Sequence, residues 1–281
     1  MKIAFIGGGN MATALIGGML KQGFAAADLS AVEPFETARA KLAAKFGIAC
    51  AAAPGEALGN ADVIVLAVKP QNMRDAAQAV APYLGTQLIV SIAAGTRIVD
   101  LARWLGSPTA TSPAPYSPYQ SIVRCMPNTP ALIGMGITGL YAAPAVSAAQ
   151  RASAERILRA VGDVVWVSNE ALIDPVTAVS GSGPAYVFYF LEAMAEAGIK
   201  LGLPADDVKR LALATFSGAA KLAAESPDDF ATLRAKVTSK GGTTEAALKV
   251  MMERQVKEAI GGALAAASAR GKELGELLGR D

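Results

Sequence analysis

The sequence predicts an α/β fold built on a doubly wound parallel sheet, followed by an all-α region. Three observations carry that prediction. Short β-branched runs alternate with Ala-rich stretches through the first part of the chain, the rhythm of strand–helix–strand units. The run after Asp62 is apolar without interruption to Val68, as a parallel strand covered on both faces must be. Beyond Ser168 strand signals vanish and only helical stretches follow.

The elements follow in order. Residues 2–6 read as a strand and 10–21 as a helix. Residues 29–33 are the next strand, followed by a helix over 36–45 and a strand over 47–50. The buried strand 62–68 leads to a helix over 72–83, a strand over 87–92 and a helix over 96–104. Residues 107–121 break the rhythm with Pro108, Pro113, Pro115 and Pro118 among Ser, Thr and Tyr. Proline fixes φ and lacks a donor, so an exposed loop is expected, or a linker between domains. The α/β pattern resumes at once, with strands over 122–126, 136–141 and 164–167 and a helix over 147–161. Helices are then expected over 169–179, 184–200, 204–225, 227–235, 244–254 and 256–278, with Pro204 at a first helical position and Gly202 as a helix stop. The predicted domains are therefore 1–168 and 169–281.

Composition narrows the chemistry. A chain of 281 residues with 52% hydrophobic and 18% charged residues has room for two cores. A net charge of +2 makes no case for a nucleic-acid or acidic-membrane partner. The chain has no histidine, which excludes Ser-His-Asp and Cys-His catalysis and His-ligated zinc. Cys50 and Cys125 form no CxxC pair and are too few for a Cys-ligated structural zinc, so two reduced thiols and no metal are expected. The apolar run 3–6 ends at Gly7, too short for a secretory segment, which points to the cytoplasm. The most apolar candidate span, 179–197, carries Glu192 and Glu196 and reads as a buried helix.

The first strand ends in Gly7-Gly8-Gly9-Asn10-Met11-Ala12, a G-x-G-x-x-A pattern that opens a helix. Gly7 permits the tight turn, Gly9 lets backbone approach a pyrophosphate, and Ala12 lets helix and strand pack closely. The helix N-terminus then offers free N–H groups to phosphates. A plain tight turn is the alternative. Glu33 ends the second strand, where a carboxylate accepts from the 2′-hydroxyl of NADH and repels the 2′-phosphate of NADPH. A solvated strand-end glutamate is the alternative, and Arg39 one turn on would offset the repulsion. Ala67-Val68-Lys69-Pro70 and Ile92-Ala93-Ala94 end two further strands, where ligands bind in open α/β sheets. Near the other end, Ser239-Lys240-Gly241-Gly242-Thr243-Thr244 precedes a helix. Hydroxyls and flexible backbone there make a carboxylate site or a helix cap from Thr243 or Thr244.

These segments resemble the Δ1-pyrroline-5-carboxylate reductase family. The resemblance runs over nearly the whole chain. It is carried by residues 5–12 and 67–70, by Arg124-Cys125-Met126-Pro127-Asn128-Thr129-Pro130, by Ser180-Gly181-Ser182-Gly183-Pro184-Ala185, and by the 238–244 loop. It implies a Rossmann-like domain followed by an all-α dimerisation domain. It implies reduction of (S)-1-pyrroline-5-carboxylate to L-proline, the last step of proline biosynthesis, with NADP(H) or NAD(H). By the same resemblance Ile6, Gly7, Gly8, Gly9, Asn10, Met11, Ala67, Val68, Lys69, Pro70, Ile92, Ala93 and Ala94 line the cofactor. Ser239, Gly241, Gly242, Thr243 and Thr244 hold substrate, with the Thr244 hydroxyl the catalytic candidate. Intertwined homodimers, stacked into decamers, are implied as the assembly. Two features depart from the family pattern: Lys240 stands where proline is common, and the 107–120 stretch is longer than usual. A related imine or β-hydroxyacid reductase would be expected to carry Lys-x-x-x-Asn on a helix, and 182–193 has no lysine. A non-catalytic dinucleotide-binding sensor would explain the first glycine loop but not the second.

Overall fold

The computed structural model describes residues 1–106 and 117–280. The first elements are β1 (Ile3–Ile6), α1 (Asn10–Lys21), β2 (Leu29–Val32), α2 (Glu36–Phe46), β3 (Ala49–Ala51), β4 (Val63–Leu66), α3 (Met73–Val80), β5 (Leu88–Ser91) and α4 (Ile98–Leu105). There follow β6 (Ile122–Met126), β7 (Gly136–Ala142), α5 (Ala148–Leu158) and β8 (Gly162–Trp166). Helices complete the chain: α6 (Ile173–Val176), α7 (Gly183–Lys200), α8 (Ala205–Glu225), α9 (Phe230–Lys236), α10 (Thr243–Glu253) and α11 (Val256–Leu278).

Among the described residues eight strands form one sheet in the order β3-β2-β1-β4-β5-β6-β7-β8, the doubly wound arrangement expected of a Rossmann-like fold. Strands β1, β4 and β5 are buried at every position. Because side chains alternate across a strand, Phe5, Val65 and Val90 face one way, onto Leu15, Ile16 and Met19 of α1. Ile6, Leu66 and Ile89 face the other, onto Met73 and Val80 of α3 and Leu101 and Trp104 of α4. Two apolar layers on one sheet account for the unbroken hydrophobic runs in the sequence.

The sheet departs from the expected all-parallel pattern at one step: β7 runs antiparallel to β6, with Cys125 opposite Leu140. Only residues 127–135 join them, fewer than the dozen or so that a parallel crossover needs. Helix α5 provides that crossover before β8, which returns parallel to β7. The expected helix over 169–179 is also corrected. It is a 3₁₀ turn (Glu170–Leu172), the single turn of α6, and a π-turn (Thr177–Gly181) in which Ser182 N–H donates to the Thr177 carbonyl at 2.8 Å. Pro204 is the N-cap of α8 rather than its first residue. Helix α9 begins at Phe230 because Asp229 caps it, accepting from Thr232 N–H at 2.7 Å.

By its contacts the chain forms two compact units, Met1–Ser182 with Ala267–Asp281, and Gly183–Ala266. In the second unit α7 leaves part of its apolar surface uncovered by its own chain: Phe188 is 65% and Tyr189 71% exposed. Its apolar circumference is wider than α8, its main neighbour, can cover. No helix among the described residues is long and apolar enough to cross a membrane.

Most of the Pro-rich loop expected over 107–121 lies outside the described residues. Its described end is anchored rather than free. Tyr119 N–H donates to the Ala102 carbonyl at 3.0 Å, its hydroxyl donates to the Gln87 carbonyl, and its ring packs on the α3–α4 layer. Burial pushes its phenol pKa up to about 12. Replacing 108–116 by a short Gly/Ser link is therefore expected to leave kcat and melting close to the parent. Extending the replacement through Tyr119 should cost about 2–3 kcal/mol from lost burial and hydrogen bonding. Thermal melts of the two variants check this. Equal melting points would show that Tyr119 is not an anchor.

Candidate active site at the strand ends

The cofactor-side residues gather at the carboxyl ends of β1, β4 and β5. Ala67 N–H donates to the Ile6 carbonyl at 2.8 Å and Ile92 N–H to the Leu66 carbonyl at 3.2 Å, so the three exits lie side by side. Gly7 turns the chain off β1 at φ +99°, and a Cβ there would meet the Ala67 carbonyl oxygen at 2.8 Å. Only glycine meets both demands. Gly9 is the N-cap of α1 and makes no side-chain cap bond, and no atom lies within 4 Å of where its Cβ would be. Asn10 and Met11 open the helix with first-turn N–H groups that have no intrahelical partner. Open space over Gly9, unpaired N–H groups and no acidic residue in that turn fit a dinucleotide pyrophosphate.

At Glu33 the alternative of a solvated strand-end carboxylate is ruled out. At 7% exposure its carboxylate accepts from Gly8 N–H at 2.8 Å and from Phe35 N–H at 3.0 Å. The side chain thus braces the glycine loop from the end of β2. Arg39 donates to the carbonyls of Glu33 and Pro34 at 2.8 and 3.0 Å, not to the carboxylate. Val68 is half-buried and Lys69 exposed in extended backbone before Pro70, which begins a 3₁₀ turn. Ile92 and Ala94 are half-buried and Ala93 is buried.

The substrate-side residues lie in the second unit, in the loop between α9 and α10. Gly241 takes φ +72° and Gly242 is the N-cap of α10 without a side-chain bond. The reading of Thr243 or Thr244 as the cap is therefore corrected; they are the first two helical residues. Gly242 N–H donates to the Ser239 carbonyl at 3.0 Å, and Glu245 accepts from Gly241 N–H at 2.7 Å. With those donors engaged, the N–H groups of Thr243 and Thr244 and the hydroxyls of Ser239, Thr243 and Thr244 remain for an anion. The loop borders an open groove of about 830 Å³, lined also by Leu248 and Met252.

The two other sequence motifs meet each other. Asn128 Nδ2 donates to Ser180 Oγ at 3.3 Å, and its Oδ1 accepts from Ile137 N–H at 3.0 Å. Met126 lies where a Cβ on Gly181 would stand, its Cε 2.4 Å from that point. Behind them Arg124, 3% exposed, pairs with Glu170 at 3.1 Å and Asp174 at 3.3 Å. Glu170 also accepts from Ile98 N–H at 2.8 Å, tying in the start of α4. This pairing role of Arg124 is not among those that the family resemblance implies. Its readable signal was an arginine inside the apolar run Ile122-Val123-Arg124-Cys125-Met126, which demands a buried partner. Cys125 is buried and free, and burial pushes its thiol well above the usual range.

The chain is similar over its whole length to known proteins. A family model described as pyrroline-5-carboxylate reductase dimerisation matches residues 170–274, and one described as NADP oxidoreductase coenzyme F420-dependent matches residues 2–95. The chain is 50% identical over 280 residues to a pyrroline-5-carboxylate reductase of Pseudomonas aeruginosa, covering 99% of this chain and 98% of the relative. Among solved structures, a pyrroline-5-carboxylate reductase from Coxiella burnetii superposes with a TM-score of 0.88 at 38% identity, covering 97% of this chain and 98% of that one. The Plasmodium falciparum pyrroline carboxylate reductase with NADP bound gives 0.82 at 28% identity, covering 98% of each chain. With half of its residues identical over an end-to-end match to one relative and a family model matching 170–274, the chain belongs to the pyrroline-5-carboxylate reductase family.

Proposed function

We infer that the protein reduces pyrroline-5-carboxylate to proline with NAD(P)H. The observation that carries this reading is the pair of glycine-capped helix starts with no side-chain cap, one opening α1 at Gly9 and one opening α10 at Gly242. A dinucleotide sensor needs only the first. Turnover of NADPH or NADH with pyrroline-5-carboxylate by the purified chain tests the reading, and absence of turnover with both would sink it.

Bound NAD(P)H supplies the hydride. The chain's own residues hold, orient and exclude water. Ile6–Met11, Ala67, Val68, Lys69, Pro70 and Ile92–Ala94 line the dinucleotide, with Glu33 at the adenosine ribose. Ser239 and the first-turn N–H groups of α10 hold the substrate carboxylate, and Gly241 and Gly242 shape that loop. The Thr244 hydroxyl orients the ring nitrogen of a protonated cyclic imine and donates to the lone pair that develops there as the imine carbon is reduced. Because the substrate can bind already protonated, no imidazole acid is required, in keeping with a chain that has no histidine. In this reading 1–168 carries nucleotide binding and 169–281 carries substrate binding and dimerisation, and the enzyme works in the cytoplasm.

Removing the Glu33 charge should favour NADPH. Glu33→Gln keeps an acceptor for Gly8 or Phe35 while removing repulsion of a 2′-phosphate. It is expected to shift the NADPH/NADH ratio of kcat/KM toward NADPH by about 1–2 kcal/mol. Glu33→Ser loses the brace as well, so dinucleotide KM should rise for both. An unmoved ratio in both variants places Glu33 away from the ribose.

Exposed Phe188, Tyr189, Phe230, Met251 and Met252 in the second unit support an interlocked homodimer, with dimers stacking into decamers as the full assembly. Sedimentation velocity is expected to show no monomer at assay concentration. A stable, fully active monomer would contradict it, and a dimer alone would remove the decamer.

A further inference from the structure

The end of α11 carries glycine at every fourth position: Gly271, Gly275 and, just past the last turn, Gly279. That spacing puts them on one face. Glycine weakens a helix interior relative to alanine, so a repeated glycine face calls for a packing reason. At Gly275 that face lies against the backbone that follows β5, and at Gly279 against the Asp100 side chain of α4. A Cβ on Gly275 would stand 3.0 Å from the Gly95 carbonyl oxygen and 2.9 Å from Arg97 Nε, and one on Gly279 would stand 2.4 Å from Asp100 Oδ2. Gly95 faces back: at φ +75°, its own Cβ would stand 3.3 Å from Leu278 Cδ1 and 3.5 Å from Leu274 Cβ.

Two arginines of the same stretch grip the helix end. Arg97 donates to the Lys272 carbonyl at 3.1 Å and pairs with Glu276 at 3.5 Å, and Arg103 donates to the Gly279 carbonyl at 2.9 Å. Cations at a helix C-terminus satisfy its free carbonyls and its negative end. The helix is thus seated by close backbone packing and by charge on the residues directly after Ile92-Ala93-Ala94.

We propose that the glycine face of α11 is a positioning element for the dinucleotide segment 92–94, with Gly275 acting through Gly95. The proposal rests on the reading of Ile92–Ala94 as cofactor-lining. A side chain at Gly275 must push either the helix or Gly95 away, and Gly95 is one residue from Ala94. Gly271 provides the internal control, because its Cβ would stand at an ordinary 3.7 Å from Asp174.

The test uses the full-length chain and its Gly275→Leu, Gly275→Ala and Gly271→Ala variants. Three quantities are read: Kd for NADPH and NADH by direct titration, steady-state KM and kcat, and hydrogen exchange of residues 92–96 without dinucleotide. Gly275→Leu is expected to raise dinucleotide Kd and KM about tenfold or more, as a small misplacement of a binding segment does. It should also speed exchange at 92–96, while kcat at saturation and KM for pyrroline-5-carboxylate change less than about threefold. Gly275→Ala should fall between, and Gly271→Ala should match the parent. A merely structural role would lower melting and active fraction with Kd unchanged. A folded Gly275→Leu with parental Kd or parental exchange overturns the proposal, and if that variant does not fold, Gly275→Ala decides by the same measures. A parent that binds neither dinucleotide would sink the reading of the site instead, and the exchange data would still decide whether the helix holds segment 92–94.

Discussion

Replacing Thr244 by alanine is expected to lower kcat about 10- to 100-fold, the loss of one hydrogen bond that strengthens as a lone pair develops on the ring nitrogen in the transition state. The substitution removes only the hydroxyl; the N–H groups that open α10 stay, so carboxylate binding and substrate KM should change little. The structure sharpens this test. Had Thr244 been the N-cap, the same change would cost about 1 kcal/mol of stability. The cap is Gly242, and Thr244 is the second helical residue. Alanine favours helix over threonine, so the melting point should hold or rise slightly. Steady-state kinetics with a thermal melt on one preparation separate the outcomes: normal turnover would remove Thr244 from catalysis.

The second large effect is expected at Arg124. Arg124→Met leaves Glu170 and Asp174 without their shared cation in a largely buried site, which typically costs about 3–5 kcal/mol. Partial exposure of the two carboxylates, 26% and 17%, sets the expectation at the lower end. Arg124→Lys keeps charge but cannot reach both carboxylates in a planar fork, so it should recover only part of the loss. Adding Glu170→Gln and Asp174→Asn to Arg124→Met should also recover part. Denaturant unfolding measures all of these. A loss below about 1 kcal/mol for Arg124→Met would show that the cluster is solvated rather than buried.

Both predictions lean on features that differ in how far the chain alone revealed them. The Thr244 loop was legible because glycine, serine and threonine at a helix start are a local arrangement. Which residue caps that helix was not, since Gly242, Thr243 and Thr244 all satisfy local rules. Arg124 was legible only as an oddity, a charge in an apolar strand. Its partners lie 46 and 50 residues away, beyond any local pattern.

The sequence by itself determined the strand–helix order, the two apolar layers implied by unbroken β-branched runs, the turn at Gly7 and the exclusion of imidazole chemistry. These depend on side-chain period, on backbone freedom and on which residues are present, all local properties. Tertiary structure alone decided the rest. It drew Glu33 inward onto Gly8, because a buried carboxylate takes the nearest free N–H donors. It wound 177–181 into a π-turn over Met126, and it seated the glycine face of α11 on Gly95. Each of these is a choice among locally acceptable states, settled by which distant groups must share buried space.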